Sequence, residues 1–171
     1  MLKKSGIEIT GKKVLILGSG GASVTVKTVA SDLNAREIVI ISRGGENNYE
    51  NIAKHSDADV IINTTPVGMF PDTGKVPVDL KVFPKLSGVL DLIYNPSETR
   101  LLYDAKGFGI PYINGLSMLV AQGKRAAEIF TGEPIPDGEI EKIDISKLSY
   151  LILNEHEAYS LCGESEPEKI K

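Results

Sequence analysis

The sequence predicts an α/β fold, a doubly wound parallel sheet of the Rossmann type with three layers and about five to six strands. Short apolar runs alternate with helix-like segments along most of the chain. Uninterrupted apolar runs are typical of parallel strands that are buried on both faces. A glycine-rich turn joins the first run to the helix that follows it, which is typical of the same fold class.

Each predicted element follows from its residue pattern. The first strand is predicted at residues 14–17, and the helix after the glycine-rich turn extends to Ala30. The further strands are predicted at 37–42, 59–63, 88–93 and 110–113. The further helices are predicted at 48–55, 100–106 and 116–130, and the proline-containing stretch 68–84 is predicted to be a loop.

Length and charge limit the classes of protein that the chain can represent. Its 171 residues, 42% of them hydrophobic, suffice for one α/β domain with its own core. We expect that domain at residues 1–135, followed at 136–171 by an acidic linker with an added strand and helix. The net charge of −4 gives no general basic surface for nucleic acid or an anionic membrane. Apolar runs stay far below the ~18 residues of a membrane span.

The few cysteine and histidine side chains argue for a cytoplasmic protein without a metal site. Cys162 is the only cysteine, which excludes an internal disulfide framework and fits a reducing compartment. His55 and His156 are the only histidines, and their polar surroundings place both at the surface. No signal-type apolar core follows the first five residues.

The glycine-rich turn has the spacing of a dinucleotide-binding loop. Gly18, Gly20 and Ser23 follow the first strand as G-x-G-x-x-small. Gly18 permits the tight turn, and Gly20 has no Cβ, so that a pyrophosphate can approach the backbone. Ser23 is small enough for the helix to pack on the strand, while the helix N-terminus offers free N–H groups to the anion. The alternative is an ordinary glycine-rich turn without a ligand.

The end of the second strand indicates which cofactor the site prefers. NAD-binding members of this fold carry an acid there for the ribose 2′-hydroxyl, whereas this chain has Ser42 and Arg43. A guanidinium grips a 2′-phosphate through paired hydrogen bonds, and a carboxylate would repel it. We therefore expect NADP rather than NAD, with a solvated surface arginine as the alternative.

Five motifs in the same order resemble the C-terminal NADP-binding domain of the shikimate dehydrogenases. The family patterns are G-A-G-G-A, N-R-T, I-N-[AT]-[ST]-P-x-G-M, D-[ML]-[IV]-Y-x-P-x-x-T and N-G-L-x-M-L-V-x-Q. They are matched here at 18–22, 42–43, 62–69, 91–99 and 114–122. The second match is partial, because the family's Asn and Thr are missing around Arg43.

The resemblance implies a role for each matched position in a dehydrogenase that reduces 3-dehydroshikimate to shikimate with NADP. Ser42 and Arg43 would hold the 2′-phosphate, while Tyr94 and Gln122 would contact shikimate. For Met118 the alternative to a cofactor contact is a purely structural position in the core-facing side of its helix. The remaining cofactor-binding positions implied by the family are Gly18, Ser19, Gly20, Gly21 and Ala22 at the pyrophosphate, Leu92, Gly115 and Met118 at the nicotinamide, and Thr64.

The family's catalytic residues have no counterpart in this chain. The substrate domain of the family carries a lysine and an aspartate, in S-x-x-x-V-T-x-P-x-K and N-T-D motifs that do not occur here. Lys12 and Lys13 precede the first strand outside that context. We therefore expect no catalytic residue, weak binding of shikimate at most, and self-association through the uncovered cleft. A fold module with negligible cofactor affinity, and a reductase completed by a partner, are the competing hypotheses.

The end of the chain resembles a different family. Residues 148–153 are a further strand candidate, and the segment around them is similar to part of the ribokinase-type sugar kinases. Asn154 and Glu157 would be the members of that family's N-x-x-E motif, but its G-A-G-D anion hole is absent. A fusion of two α/β fragments and a chance similarity both remain open, and neither implies kinase activity.

Overall fold

In a computed structural model of the chain, residues 5–136 are described. The chain divides into two compact units, Met1–Met118 and Leu119–Lys171. The first unit contains all five described strands. The predicted tail strand, His156, Cys162 and the kinase-like positions Asn154 and Glu157 lie outside the described residues.

The first unit is built on a five-stranded parallel sheet, which confirms the predicted fold class. The strand order is β2-β1-β3-β4-β5, and every neighbouring pair is parallel. After β1 the chain moves to one side for β2 and then to the other side for β3, so the topological switch point lies between β1 and β3. The strands are β1 Lys13–Leu17, β2 Glu37–Ile41, β3 Val60–Asn63, β4 Gly88–Asp91 and β5 Tyr112–Ile113.

Two core clusters, one on each face of the sheet, produce the three layers. Alternate residues of β1 point to opposite faces, so Leu15 belongs to one cluster and Ile16 to the other. Helix α1, Gly21–Asp32, contributes Ala30 to the second cluster. Helix α2, Arg100–Gly107, contributes Leu101, Leu102 and Ala105 to the first cluster.

The predicted helix at 48–55 is wrong for most of its length, because only Ile52–His55 forms a 3-10 turn. The Asn48 side-chain oxygen accepts the N–H groups of Glu50 and Asn51, and the Asn51 oxygen accepts the Asn48 N–H. Such local bonds compete with helical hydrogen bonding, and two asparagines three residues apart satisfy each other without a helix. His55 is half-buried rather than fully at the surface.

The remaining helices and loops follow the prediction closely. Helix α3, Leu116–Thr131, begins in the first unit and continues into the second. Inside the predicted loop 68–84, Leu80–Val82 forms a second 3-10 turn, which the Asp79 carboxylate caps by accepting the Lys81 N–H. No helix within residues 5–136 is long and apolar enough to cross a membrane.

Candidate nucleotide-binding site

The turn after β1 requires glycine at its first position. Gly18 has φ +105°, a conformation that residues with a side chain rarely adopt. A Cβ on Gly18 would lie 2.9 Å from both the Thr64 hydroxyl oxygen and a methyl carbon of Thr65. Its N–H donates to the carbonyl of Ile41 at 2.8 Å, which joins the turn to the end of β2. The structure thus explains Gly18 by backbone geometry and by close packing at the switch point.

Thr64 fastens the end of β3 to the end of β1. Both its backbone N–H and its hydroxyl donate to the Leu17 carbonyl, at 2.9 and 2.7 Å. The hydroxyl hydrogen is therefore used inside the protein, and only the oxygen's acceptor capacity remains for a ligand. Thr64 therefore borders the site, and its hydroxyl cannot donate a hydrogen bond to a negatively charged cofactor.

The first turn of α1 is open to solvent. Gly20 precedes the helix without any side-chain cap, and Ser19, Gly21 and Ala22 are exposed. A Cβ on Gly20 or Gly21 would meet no protein atom within 4 Å. Ser23 is buried, and its hydroxyl donates to the Gly20 carbonyl at 2.6 Å. The unpaired N–H groups of this helix end therefore face free space that an anion can occupy.

Arg43 supplies positive charge at the neighbouring strand end. It is exposed, directly follows half-buried Ser42, and forms no ion pair with any residue in the range 5–136. Burial raises the pKa of the Tyr49 hydroxyl, and the charge of Arg43 acts on that pKa in the opposite direction. Arg43 is thus a cation without an ion-pair partner in the described part of the chain, and it follows the strand end to which the Gly18 turn is hydrogen-bonded.

A buried polar network joins the ends of β3 and β4. The Asp91 carboxylate accepts hydrogen bonds from the Asn63 amide at 3.0 Å, the Ile93 N–H at 3.1 Å and the Thr99 hydroxyl at 2.7 Å. Asn63, Asp91 and Thr99 are all almost fully buried. Burial raises the pKa of Asp91, and the three hydrogen bonds oppose that rise. The network fixes both loops at the carboxyl edge of the sheet.

Asn63 and Thr99 of this network also form hydrogen bonds with residues that follow them in the chain. The Asn63 side-chain oxygen accepts the Thr65 N–H at 3.0 Å and the Thr65 hydroxyl at 2.7 Å. Thr99 is the N-cap of α2, where its oxygen accepts the Leu102 N–H at 3.4 Å. Sequence reasoning matched Asn63, Asp91 and Thr99 to family motifs but assigned them no role. Polar residues at the tips of apolar strands are the signal that points to such a network.

Three residues expected beside the nicotinamide lie together in the first unit. The Leu92 N–H donates to the Asn63 carbonyl at 3.0 Å, and the Gly115 N–H donates to the Ile93 carbonyl at 3.0 Å. A Cβ on Gly115 would overlap the Leu92 carbonyl, so only glycine permits this approach. Met118, in the first turn of α3, donates its N–H to the Gly115 carbonyl. Leu92, Gly115 and Met118 therefore form one connected patch.

The two residues expected at the substrate differ in their setting. Tyr94 is half-buried in the loop after β4, at the carboxyl edge of the sheet. Gln122 is an exposed residue of α3 that belongs to the second unit. Their joint contact with a substrate stays a prediction.

Lys13 is not a substitute for the missing catalytic lysine. It is the first residue of β1 and is buried, with its ammonium 3.1 Å from Glu37 and 2.9 Å from Asp57. Its burial lowers its pKa, but these two carboxylates outweigh that effect and leave the pKa raised. Because β1 and β2 are parallel, Lys13 and Glu37 lie at the amino edge, opposite Gly18. Among residues 5–136 no group of three His, Cys, Asp or Glu side chains is placed to hold a metal.

Known proteins similar to this chain include shikimate dehydrogenases, although no family model matches it. The shikimate dehydrogenase (NADP(+)) of Clostridium perfringens is 35% identical over an alignment of 156 residues that covers 84% of this chain and 58% of the relative. That of Methanococcus maripaludis is 41% identical over 160 residues, 82% of this chain and 56% of the relative. The chain thus spans less than two thirds of the length of these relatives.

Solved structures of the same enzymes share the fold. A chorismate mutase/shikimate 5-dehydrogenase fusion protein from Clostridium acetobutylicum superposes with a TM-score of 0.77 at 37% identity, covering 83% of this chain and 56% of that one. Shikimate 5-dehydrogenase from Thermus thermophilus, in complex with NADP(H) and shikimate, superposes with a TM-score of 0.69 at 29% identity, covering 82% and 57%.

We expect Asp91→Ala to destabilise the fold far more than Asp91→Asn. The alanine variant leaves the Asn63 amide, the Thr99 hydroxyl and the Ile93 N–H buried without their acceptor, at a cost of about 3–5 kcal/mol. The asparagine variant keeps the acceptor for Asn63 and Ile93 and should cost about 1 kcal/mol. Urea unfolding at neutral pH measures both values, and Asp104→Asn, which removes only a helix-surface ion pair with Arg100, is the control.

The pH dependence of stability provides a second test of Asp91. Because its pKa is raised in the folded state, the folded protein binds the proton more readily than the unfolded chain. The wild-type free energy of unfolding therefore loses a contribution as pH rises from about 4 through the folded pKa. Asp91→Asn should lack that loss, and identical pH profiles for the two proteins would contradict the assignment.

Proposed function

We propose that this chain, a relative of the shikimate dehydrogenases, is the NADP(H)-binding half of such an enzyme. The enzymes reduce 3-dehydroshikimate to shikimate in aromatic amino-acid biosynthesis. The observation that carries the proposal is the open first turn of α1, placed directly after the Gly18 turn at the β1/β3 switch point. Ligands of doubly wound sheets bind at that position.

The residues at this edge fit the parts of NADP(H). The N–H groups from Ser19 to Ala22 would bind the pyrophosphate, because they are exposed and have no side-chain cap. Ser42 and Arg43 would bind the 2′-phosphate, since the guanidinium has no ion-pair partner within the described residues. The patch of Leu92, Gly115 and Met118 would border the nicotinamide. The bound cofactor supplies the hydride for reduction of a ketone.

The chain alone should bind the cofactor without catalysing the reaction. Hydride transfer to a ketone needs a positioned proton donor. Tyrosine hydroxyls in general are weak acids that titrate near ~10 and amides do not titrate, so residues of the types of Tyr94 and Gln122 are not suited to this task near neutral pH. Lys13 lies at the opposite edge of the sheet in two ion pairs.

The competing function is a fold module with little cofactor affinity. One observation favours it: Ser42 and Gly44 flank Arg43, so the family's amide and hydroxyl donors beside that arginine are lost.

In either case we propose a cytoplasmic protein with a cofactor domain at residues 1–135, an added tail segment at 136–171, and a tendency to self-associate. A cofactor titration separates the two functions.

Titration of the purified chain should show tighter binding of NADPH than of NADH, because Arg43 follows β2 where NAD-binding members of this fold carry an acidic residue. Arg43→Ala should weaken NADPH binding by about 1–3 kcal/mol, the value of a charged hydrogen bond, and leave NADH binding little changed. Quenching or enhancement of coenzyme fluorescence measures both affinities. Equal affinities in the wild type, or a preference for NADH, would contradict the assignment of Arg43.

Gly20→Val should fold normally and lose the cofactor. Gly20 has φ −81° and an added Cβ meets no protein atom within 4 Å, so the fold tolerates valine there. The branched side chain would occupy the space required by the pyrophosphate. The melting temperature should therefore stay close to that of the wild type while NADPH binding becomes undetectable. Retained affinity would show that the loop is only structural.

The isolated chain should show no measurable oxidation of shikimate with NADP. General acid–base catalysis contributes about 10²–10⁴ in rate, and the positioning of substrate by a second domain contributes further. A spectrophotometric assay of NADPH formation tests this, with a separately expressed substrate domain added to look for a trace of restored turnover. Robust turnover that Tyr94→Phe abolishes would indicate an active site that this proposal lacks.

A further inference from the structure

We infer that Asn47 and His55 are positioning residues for Arg43, and that their contact sets how strongly the site prefers a 2′-phosphorylated nucleotide. The inference rests on the proposed cofactor site. Neither residue would touch the cofactor; they would act by holding the loop that carries Arg43.

The first step is a chain of two hydrogen bonds from the loop to His55. The backbone N–H of Ser42, the residue before Arg43, donates to the Asn47 carbonyl at 3.1 Å. The Asn47 side-chain oxygen lies 3.0 Å from His55 Nε2. Asn47 therefore connects the base of the Arg43 loop to the histidine through its backbone and its side chain at once.

The second step is the anchoring of His55 to the core. His55 is the last residue of the 3-10 turn that begins at Ile52, and Ile52 packs against the core cluster under α2. The His55 carbonyl accepts the N–H of Ala58, which is fully buried just before β3. The loop that carries Arg43 is thus tied, through Asn47, to a fixed part of the fold.

The third step concerns the second ring nitrogen of His55, Nδ1. Its surroundings make histidine an unfavourable residue at this position if only folding stability is considered. An amide oxygen only accepts, so His55 Nε2 is the donor in its contact with Asn47. His55 Nδ1 is buried and has no hydrogen-bond partner within residues 5–136. An unsatisfied buried nitrogen costs folding free energy. The Nε2 contact with Asn47 is what the imidazole provides in return.

The fourth step separates this contact from the rest of the loop. Residues 48–51 are held by the reciprocal bonds between Asn48 and Asn51, and Asn51 also donates to the Glu46 carbonyl at 2.8 Å. These bonds do not involve Asn47's side chain. Asn48 likewise donates to the Gly45 carbonyl, so Gly45 and Glu46 stay tied to residues 48–51. Loss of the Asn47–His55 contact should therefore loosen Asn47 and the segment 42–44 that carries Arg43, while the remainder of the loop keeps its structure.

The consequence is a specific effect on the 2′-phosphate. An arginine on a loose loop loses conformational entropy when it binds, and this loss lowers the affinity. A loop that is already held loses little entropy on binding. Only the 2′-phosphate of the cofactor would reach Arg43, because the proposed site would hold the pyrophosphate at α1. Loosening the loop should thus weaken NADPH binding and leave NADH binding nearly unchanged.

The experiment compares NADPH and NADH titrations of the full chain, of variants at Asn47 and His55, of Arg43→Ala and of one control variant. His55→Phe and Asn47→Ala should each reduce the ratio of the NADH to the NADPH dissociation constant by about threefold to tenfold. The double variant should lose no more than either single one, because all three lack the same contact. His55→Gln keeps a donor and should retain most of the preference.

Ser87→Ala is the matched control, since it removes one exposed hydrogen bond to the Asp59 carbonyl at the amino edge of the sheet. An unchanged ratio in folded Asn47→Ala overturns the inference, as does an equal loss of affinity for both coenzymes. If Arg43→Ala changes the ratio while the Asn47 and His55 variants do not, the proposed function stands and the inference falls. If the wild type binds neither coenzyme, both fall.

Discussion

The carboxyl edge of this sheet depends on one buried carboxylate. Asp91 ends β4 where solvent does not reach, and it is tolerable there because the Asn63 amide, the Thr99 hydroxyl and the Ile93 N–H all donate to it. These donors lie at the end of β3, at the start of α2 and in the next loop. A single group thereby fixes three chain segments, and the raised pKa of Asp91 reflects what its burial costs.

The Gly18 turn is fixed by a different contact, at the switch point between β1 and β3. Gly18 and Thr64 approach so closely that a Cβ on the glycine would lie 2.9 Å from the threonine hydroxyl oxygen. Thr64 in turn donates twice to Leu17. Asn63, the last residue of β3, belongs to the Asp91 network, and Thr64 follows it directly. The Gly18–Thr64 contact and the Asp91 network therefore both hold the end of β3. The Gly18 turn that leads into α1 is therefore held by contacts within the protein, and a turn that is already held has less to order when a ligand binds.

The sequence predicts the strands and the glycine turn well, since both arise from local chemistry. Continuous apolar runs indicate strands buried on both faces, and Gly18 does have the positive φ that its position in the motif requires. The helix predicted over 48–55 fails because Asn48 and Asn51 satisfy each other's backbone. The half-buried setting of His55 and the donation of the Thr64 hydroxyl to Leu17 depend on contacts distant in sequence or on loop geometry. Residue pattern alone carries no information about them.

Lys13 and the positions matched to cofactor binding lie at opposite edges of the sheet. At the amino edge, Lys13 is held by Glu37 and Asp57, which ties the start of β1 to the start of β2 and to the chain before β3. Every position matched to cofactor binding in the first unit lies instead beyond the carboxyl ends of the strands or at a helix start. A lysine at the amino edge cannot reach a substrate at the carboxyl edge, so its charge serves the fold. Under the proposed function, the proton donor would therefore be a group other than Lys13.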